Sequence, residues 1–237
     1  MRDPIENVSL LQKQITDEMA NLFYARFWGR QDVYAKRSEK RGTGEAVYYT
    51  QCHNRWLEIC PKMHHQKISC IDCPHQAYKK LTKRDILLHL QGRDDHGSDV
   101  IGIYPLLKNG TCRFLVYDFD HHGIGAEQVN LKSFKYYDRM LPAQDALKEG
   151  GLGNLIALPL QGRALQNGNS AFIDSHWNAY PNQWEILLSK PRLSAEFMEA
   201  KIKEWTGITL RELYDEDGEV SDREKPMACC IQKSGFL

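Results

Sequence analysis

The chain has 237 residues, 42% of them hydrophobic, and its 31 lysines and arginines are balanced by 31 aspartates and glutamates. The length allows one large domain or two small ones with a hydrophobic core, and the zero net charge excludes a global attraction to nucleic acid or membranes. The chain contains no run of about 18 apolar residues, so we expect no membrane span. Its charged N-terminus does not resemble a signal peptide, so we expect a cytoplasmic protein.

The first predicted element is an amphipathic helix over residues 5–27. Apolar residues recur at spacings of three and four from Val8 to Leu22, which is the periodicity of a helix with one apolar face. We expect this face to pack on its own domain. A short coiled coil with a partner is the alternative, and the pattern covers barely three heptads.

Residues 27–44, "FWGRQDVYAKRSEKRGTG", interleave aromatic and basic side chains. Such a mixture suits contact with nucleic acid, through ion pairs with phosphate and stacking on bases. The competing interpretation is a solvated loop, and the sequence does not decide between the two.

Four cysteines follow in "CHNRWLEICPKMHHQKISCIDC", namely Cys52, Cys60, Cys70 and Cys73. The last two form a Cys-x-x-Cys pair, the spacing that lets two thiolates bind one ion from a tight turn. In a reducing compartment this cluster favours a closed, structural Zn²⁺ site over disulfides. A histidine could replace one thiolate, and the candidates are His53, His64, His65 and His75.

Thr82, Asp85 and Gly92 mark the start and end of a second helix, residues 82–92. Two apolar runs then flank Lys108–Thr111, and the Asn-Gly pair within it predicts a hairpin. Residues 129–154 read as a polar connector, and residues 155–174 as a strand pair that turns at 167–169. Ser194 and Gly207 bound a last helix.

The mixture of helices and strands predicts an α+β fold. We expect four parts: an N-terminal helix (1–28), a basic segment with a zinc-binding module (29–80), a main domain (81–210) and a disordered tail (211–237).

Asp118 and Asp120 end an apolar run, "CRFLVYDFDHH". Because alternate side chains of a strand share a face, both carboxylates should lie on one face, about 6.5–7 Å apart. Carboxylates in this arrangement can bind Mg²⁺ or Mn²⁺ for phosphate chemistry. A strand that simply runs into solvent is the alternative.

Several stretches together resemble the primase-polymerase domain of the archaeo-eukaryotic primase superfamily, in the version found in TOTE conflict systems. They are "ARFWGRQDVYAKR", "CPKMHHQKISCIDCPHQAY", "DVIGIYPLL", "FLVYDFDHH" and residues 134–174. The resemblance implies a primase-type mixed sheet with flanking helices and a small zinc-binding insertion, in a nucleotidyltransferase of a bacterial helicase–primase defence system.

The resemblance also implies site residues. Asp118 and Asp120 would bind the catalytic Mg²⁺ or Mn²⁺, with Asp145 as the first choice for a third acid and Asp138 as the second. Asn154, Gln161 and Arg163 would lie near nucleotide or template. The implied partners are single-stranded or template nucleic acid, nucleoside triphosphates and a helicase domain or protein, with no membrane.

The chain departs from this family after Asp120. The family carries a glycine-rich strand with a phosphate-binding histidine there, whereas this chain reaches "GIGAEQVNLKSF" within about ten residues. This resembles an internal deletion in a C-terminally truncated copy, and we expect little or no primer synthesis. The alternatives are a non-catalytic, zinc-stapled nucleic-acid-binding module and, from "DHH" at 120–122, a metal phosphoesterase.

Overall fold

The computed structural model of the chain describes residues 15–39, 42–43, 45–92, 99–119, 137–144, 146–207 and 209. These residues form helices and antiparallel strands, which confirms the α+β class. The chain divides into two compact units, residues 1–183 and 184–237. The domain boundaries predicted at residues 28, 80 and 210 stay predictions.

The larger sheet has four strands in the first unit. They are β1 (Ala35–Glu39), β2 (Ala46–Thr50), β3 (Ile101–Ile103) and β6 (Ile156–Ala157), in the order β2-β1-β3-β6. Every neighbouring pair is antiparallel. In the described part of this sheet β2 lies at one edge.

A second sheet consists of β4 (Val116–Phe119) and β5 (Tyr137–Leu141), which pair antiparallel. The helices are α1 (Asp17–Arg26), a 3₁₀ helix (Pro61–His64), α2 (Lys83–Gln91), α3 (Gly162–Gln166), α4 (Gln183–Ser189) and α5 (Ala195–Thr206). None of the helices in the described part of the chain is long and apolar enough to cross a bilayer.

The two helices predicted from capping residues are confirmed. Thr82 and Asp85 form a reciprocal capping box at the start of α2, and Gly92 ends that helix in the left-handed conformation. Ser194 accepts a hydrogen bond from the Phe197 N–H at the start of α5, which Gly207 ends.

The N-terminal helix is shorter than predicted within the described residues. Its first residue is Asp17, because Thr16 is extended and caps the helix by accepting from the Met19 N–H at 3.3 Å. The prediction over 5–27 is therefore confirmed for 17–26, and residues 1–14 lie outside the described part. Ala20 and Phe23 provide the buried face of α1.

The core of the first unit lies where α1 and α2 cover the larger sheet. Its fully buried side chains include Phe23, Ile86, Leu90, Ile101 and Ile103. His89 is also fully buried: its Nδ1 accepts from the Ile101 N–H at 3.1 Å, and its Nε2 donates to the Pro159 carbonyl at 2.9 Å. Burial lowers the pKa of His89 to about 4, so the ring is neutral and ties α2 to two neighbouring segments.

Two glycines allow α2 and α3 to touch through their backbones. A Cβ on Gly162 would lie 2.5 Å from the Leu90 carbonyl oxygen, and a Cβ on Gly92 would overlap the Arg163 nitrogen. Real Cβ atoms do not approach other atoms this closely. The crossing therefore requires glycine on both sides.

The predicted hairpin is wrong, although its turn is present. The Leu107 N–H donates to the Thr111 carbonyl at 2.8 Å, and the Asn109 side chain accepts from the Thr111 N–H at 3.2 Å. However, β3 pairs with β1 and β6, whereas β4 pairs with β5. The turn chemistry fixes the reversal but does not determine which strands pair.

Two later predictions are corrected as well. The connector predicted at 129–154 contains strand β5, and the strand pair predicted at 155–174 is replaced by the short β6 and helix α3. The turn at 167–169 ends α3 instead of joining two strands, with the Gly168 N–H donating to the Leu165 carbonyl at 3.0 Å.

Within the described residues, the segment 27–44 is not simply a solvated loop. Residues 35–39 form β1, an inner strand of the larger sheet. Arg30 is only 6% exposed: it forms a two-pronged ion pair with Asp32 and donates to the Gly151 carbonyl at 2.9 Å. The structure gives Arg30 a structural role, and contact of this segment with nucleic acid stays a prediction.

Candidate functional site

Asp118 lies on the two-stranded sheet formed by β4 and β5, which we call the acid ribbon. It stands opposite Arg139, and the next pair joins Phe119 to Tyr137. Asp138 is therefore the extra residue of a β-bulge. Bulges interrupt strand pairing and redirect side chains, and they are frequent beside active sites.

The Arg139 guanidinium forms ion pairs with both carboxylates of the ribbon, those of Asp118 and Asp138. The Nε of Arg139 lies 3.7 Å from an oxygen of Asp118 and 2.6 Å from an oxygen of Asp138. The structure thus brings together Asp118 and Asp138, the second choice for the third acid. All three side chains are about half exposed, so a divalent cation has access to both carboxylates.

The opposite face of the ribbon is aromatic. The Tyr137 ring lies 6.4 Å from the Tyr117 ring and 5.9 Å from the Phe119 ring, centroid to centroid. Side-chain alternation along a strand accounts for this, because it directs Tyr117 and Phe119 away from the face that carries Asp118. The other two predicted acids, Asp120 and Asp145, lie outside the described residues, as do His121 and His122.

Asn154 braces the loop that follows β5. Its side-chain oxygen accepts from the Ala143 N–H at 2.8 Å. This contact joins the chain that leaves the acid ribbon to the segment leading into β6. The structure therefore places Asn154 at the end of the ribbon, and its contact with a nucleotide stays a prediction.

Gln161 and Arg163 lie at the crossing of α2 and α3. Gln161 is 2% exposed, and its Oε1 accepts from the Ala164 N–H at 2.7 Å as the N-terminal cap of α3. Arg163 lies in the first turn of α3, where its backbone nitrogen faces Gly92. The structure gives Gln161 a capping role, and substrate contact by either residue stays a prediction.

All four predicted zinc ligands line one small cavity of about 30 Å³, the cysteine cavity. Cys52, Cys60, Cys70 and Cys73 are free thiols, and His75 also lines the cavity. This volume is about the share of one water molecule in the liquid, so it has room for a single ion.

Backbone contacts explain why distant cysteines meet. Cys52 forms an isolated antiparallel bridge with Tyr78, and the Tyr78 hydroxyl donates to the Cys70 carbonyl at 2.9 Å. The Ala77 N–H donates to the sulfur of Cys52 at 3.4 Å. Within the described part of the chain, no group of three His, Cys, Asp or Glu side chains has the geometry to hold a metal ion as it stands.

A second, larger cavity of about 290 Å³ lies beside the first, at the edge strand β2. We call it the edge cavity. Its lining includes Tyr48, Tyr49 and Tyr104 and the basic residues Arg55 and Lys62. Four residues line both cavities: Thr50, Arg55, Lys62 and Cys70.

The guanidinium of Arg55 lies over two aromatic rings. Its guanidinium carbon lies 4.3 Å from the centroid of Tyr49 and 4.6 Å from that of Trp56. Trp56 is 71% exposed and has φ 70°, a left-handed conformation that bulky residues rarely adopt. Residues held in such conformations cluster at functional sites.

The glycine-rich turn at 150–153 forms part of the edge cavity. Gly150 and Gly153 have φ 69° and 79°, which only glycine adopts without cost. Arg30 donates to the Gly151 carbonyl, and Asp32 pairs with both Arg30 and Lys108. These hydrogen bonds and charges hold the pKa of Asp32 well below its usual range, so the ion pair that positions the turn stays intact.

Sequence reasoning missed Arg139 as the partner of the carboxylates and Arg55 as part of a stacked cluster. Arg139 becomes relevant only through the pairing of β5 with β4. The adjacent Arg-Trp in "NRWLE" was the available sign for Arg55. No local pattern indicated that the guanidinium would also lie over the ring of Tyr49.

Comparison with protein families gives one match. The family model described as the TOTE conflict system, archaeo-eukaryotic primase domain matches residues 18–132 and 123–201. The two matched segments overlap at 123–132, directly after Asp120, and together include every predicted site residue. A search of curated proteins finds no match.

Proposed function

The chain belongs to the archaeo-eukaryotic primase domain family of TOTE conflict systems, and from this premise we propose that it is a nucleotidyltransferase-type domain that acts on nucleic acid. The observation that carries the proposal is the pair of carboxylates, Asp118 and Asp138, which share the Arg139 guanidinium on the exposed acid ribbon. Two carboxylates around one positive charge suit Mg²⁺ or Mn²⁺.

We propose that Asp118 holds the metal together with Asp120 and either Asp138 or Asp145. A bound divalent metal would polarise the phosphates of a nucleoside triphosphate and activate the attacking hydroxyl. Asp118 would orient the ion from the strand, while Arg139 neutralises the carboxylates before the ion binds. A helicase domain or protein is the proposed working partner.

We further propose that the chain alone makes little or no product. The proposal is supported by the sequence after Asp120, where we expect the phosphate-binding histidine of the family to be lost, and the two segments of the family match overlap at 123–132. Loss of one preorganised group can reduce a rate by orders of magnitude. Incorporation of labelled nucleotides on a single-stranded template tests this, and incorporation that depends on Asp118 would overturn the impairment.

Metal binding tests the site separately from synthesis. We expect Asp118→Asn to weaken Mn²⁺ binding about tenfold, as measured by calorimetry, since one charged ligand is worth about 1.4 kcal/mol or more. Glu199→Gln, on the exposed surface of α5, is the matched control and should bind as the unmodified chain does. Equal Mn²⁺ affinity in both variants would contradict the acid site.

For the cysteine cavity we propose a structural Zn²⁺ held by Cys52, Cys60, Cys70 and Cys73. Four sulfurs around one cavity suit the tetrahedral preference of zinc, and binding would draw the sulfurs inward. Metal analysis of the purified chain should give one zinc per chain. Cys70→Ser should lower that value, whereas Cys112→Ser, outside the cavity lining, should not.

The second candidate is a non-catalytic nucleic-acid-binding module stapled by zinc. It is favoured by the aromatic and basic lining of the edge cavity next to the cysteines. Binding of single-stranded DNA without any synthesis, even with Mn²⁺, would support this candidate. Hydrolysis of short oligonucleotides with Mn²⁺ would instead revive the phosphoesterase alternative at residues 120–122.

A further inference from the structure

Strand β2 forms one edge of the larger sheet in the described part of the chain. Its residue Tyr48 stands opposite Arg37 of β1, and the Arg37 N–H donates to the Val100 carbonyl at 2.9 Å, away from β2. In an antiparallel pair, two residues that stand opposite each other either exchange both of their backbone hydrogen bonds or both point them away. The N–H and C=O of Tyr48 therefore point out of the sheet.

The outer edge of β2 is open within the described part of the chain, where no hydrogen bond reaches the backbone N–H or C=O of Tyr48. The contacts that follow lie on the β1 side: the Gln51 N–H donates to the Tyr34 carbonyl at 2.8 Å, and the Gln51 carbonyl accepts from the Lys79 N–H at 3.0 Å. β2 also has no charged residue and no proline, which commonly protect edge strands. Its edge is therefore suited to pairing with a further strand.

The edge cavity reaches the backbone of this strand. Tyr48 and Thr50 point to one face of the sheet and Tyr49 to the other, and all three residues line the cavity. A cavity with this lining extends across the strand, with loop residues 69–71 as another part of its wall. Its volume of about 290 Å³ is near the lower end of that of ligand sites, so a short extended segment has room beside β2.

The two faces beside the edge differ in chemistry. On the face of Thr50, its hydroxyl is hydrogen bonded to that of Tyr104 at 3.0 Å, and Tyr104 packs with Leu152 in a buried apolar cluster. On the other face, the guanidinium carbon of Arg55 lies 4.3 Å from the ring centroid of Tyr49. A strand beside β2 would therefore meet apolar side chains on one face and a positive charge on the other.

The charges of the cavity favour an acidic ligand. Arg55 and Lys62 are both in its lining, and no Asp or Glu is among its described lining residues. A symmetric pairing of β2 with a second copy of this chain would bring the same two positive charges to the edge again. Because like charges oppose each other, the charge pattern favours a strand from an acidic partner over a second copy.

We propose that β2 accepts an extended, acidic peptide segment of a partner protein as an additional antiparallel strand. The backbone of Tyr48 would bond the segment, an apolar side chain would lie toward Tyr104, and the next side chain, a carboxylate, would pair with Arg55. Strand addition takes its affinity from main-chain hydrogen bonds and its specificity from alternate side chains. The inference goes beyond the proposed function, because it concerns a protein partner and a sheet other than the acid ribbon.

The first test is binding of a short labelled peptide that alternates valine and glutamate, measured by fluorescence anisotropy. We expect a Kd of the order of 100 μM, since so short a peptide makes few contacts. A peptide that alternates valine and lysine should bind at least about tenfold more weakly, because its charges repel Arg55 and Lys62. Equal binding of the two peptides, or binding of neither, would overturn the proposal.

Methylation of the peptide backbone tests strand addition itself. Because opposite residues of an antiparallel pair share a face, the peptide residue opposite Tyr48 is a valine, and its N–H points to β2. N-methylation of the valines should weaken binding at least about tenfold, whereas N-methylation of the glutamates should change the Kd less than about threefold. Both methylated peptides keep the same charges and side chains, so any other pattern would refute the added strand.

On the protein, Tyr48→Pro removes the outward N–H and leaves the hydrogen bonds to β1 in place, as proline can do in an edge strand. Its matched control is Tyr48→Ala, which loses the same side chain but keeps the N–H. We expect Tyr48→Pro to bind the glutamate peptide about fivefold more weakly than Tyr48→Ala. Equal Kd values in these two variants would contradict the inference. Melting temperatures show whether each variant is folded, and the methylated peptides keep the test valid if Tyr48→Pro is not.

Two other occupants of the edge would give different results. A second copy on β2 would appear as a dimer in analytical ultracentrifugation that Tyr48→Pro, but not Tyr48→Ala, converts to monomers. Nucleic acid on β2 would appear as binding of oligothymidylate that Arg55→Ala weakens, with no binding of the glutamate peptide. Either result would overturn the acidic peptide as the occupant.

Discussion

The four-stranded sheet and the acid ribbon differ sharply in burial. Ile101 and Ile103 on β3 are fully buried, and helices α1 and α2 contribute further fully buried side chains to the same core. On the ribbon only Leu141 is buried among the residues of β4 and β5. We therefore expect the described part of the acid ribbon to open locally more easily than the larger sheet.

The difference in burial suits the two sheets to different roles. A two-stranded antiparallel ribbon is marginally stable alone, and chemistry-bearing segments are often drawn from the less stable parts of a fold. The sheet provides a fixed frame for the edge cavity and the cysteines. We therefore expect substitutions in the sheet to change folding, and substitutions in the ribbon to change binding.

The largest effect should come from Gly162→Ala at the crossing of α2 and α3. The added Cβ would overlap backbone atoms that cannot move independently, so we expect a loss of about 3 kcal/mol or more in the free energy of unfolding. Urea unfolding measures it. The control is Gly42→Ala, where nothing lies within 4 Å of the added Cβ and only a backbone cost of about 1 kcal/mol applies.

The second-largest effect should come from low pH, which should reduce the free energy of unfolding through His89 in the core beside the larger sheet. His89 has a pKa of about 4 in the folded chain, below its ordinary 6.5, so the unfolded chain takes up the proton first as the pH falls. Its contribution is complete above about pH 6.5 and is lost toward pH 4, with about 2 kcal/mol gone between pH 7 and pH 5. Urea unfolding at both pH values tests this, and His89→Gln should remove most of the difference.

Loss of the Asn154 hydrogen bond at the end of the acid ribbon should have an intermediate effect on the free energy of unfolding. Asn154→Ala removes the hydrogen bond to the Ala143 N–H, and we expect a loss of about 1 kcal/mol. Hydrogen exchange should show faster opening of β5, while β3 stays protected. Asn169→Ala, at an exposed turn, is the matched control, and equal exchange of β5 in both variants would mean that Asn154 does not brace the ribbon.

The smallest effect on stability should come from Arg139→Gln in the ribbon. Its ion pairs with Asp118 and Asp138 are half exposed, and such pairs contribute about 0–1 kcal/mol. Removal of the competing cation should nevertheless tighten Mn²⁺ binding about threefold, as measured by calorimetry. Weaker Mn²⁺ binding would show that the guanidinium does not compete for the carboxylates.

Local chemistry made part of the fold predictable. Thr82, Asp85 and Gly92 delimit α2 through contacts that span only a few residues, and the same holds for Ser194 and Gly207 on α5. These capping features depend on neighbours in the chain, which a sequence displays directly. The cysteine cluster also led us to expect that four cysteines meet, although Cys52 reaches the cavity through its bridge with the distant Tyr78.

Strand pairing was not predictable in the same way. The Asn109-Gly110 turn formed, but β3 found its partners in β1 and β6, at distant points of the chain. The bulge at Asp138 and the stacking of Arg55 on Tyr49 depend on such non-local pairings. The burial of Arg30 was not predictable for the same reason, because it depends on a contact with Gly151, far along the sequence.

The close contact of α2 and α3 at Gly92 and Gly162 also limits which substitutions these two positions can accept during evolution. Because main-chain atoms face each added Cβ, no change of a neighbouring side chain can create the missing space. Second-site suppressors of Gly92 or Gly162 substitutions would have to shift a whole helix. These two positions should therefore tolerate the fewest replacements in a saturation library, even though neither takes part in chemistry.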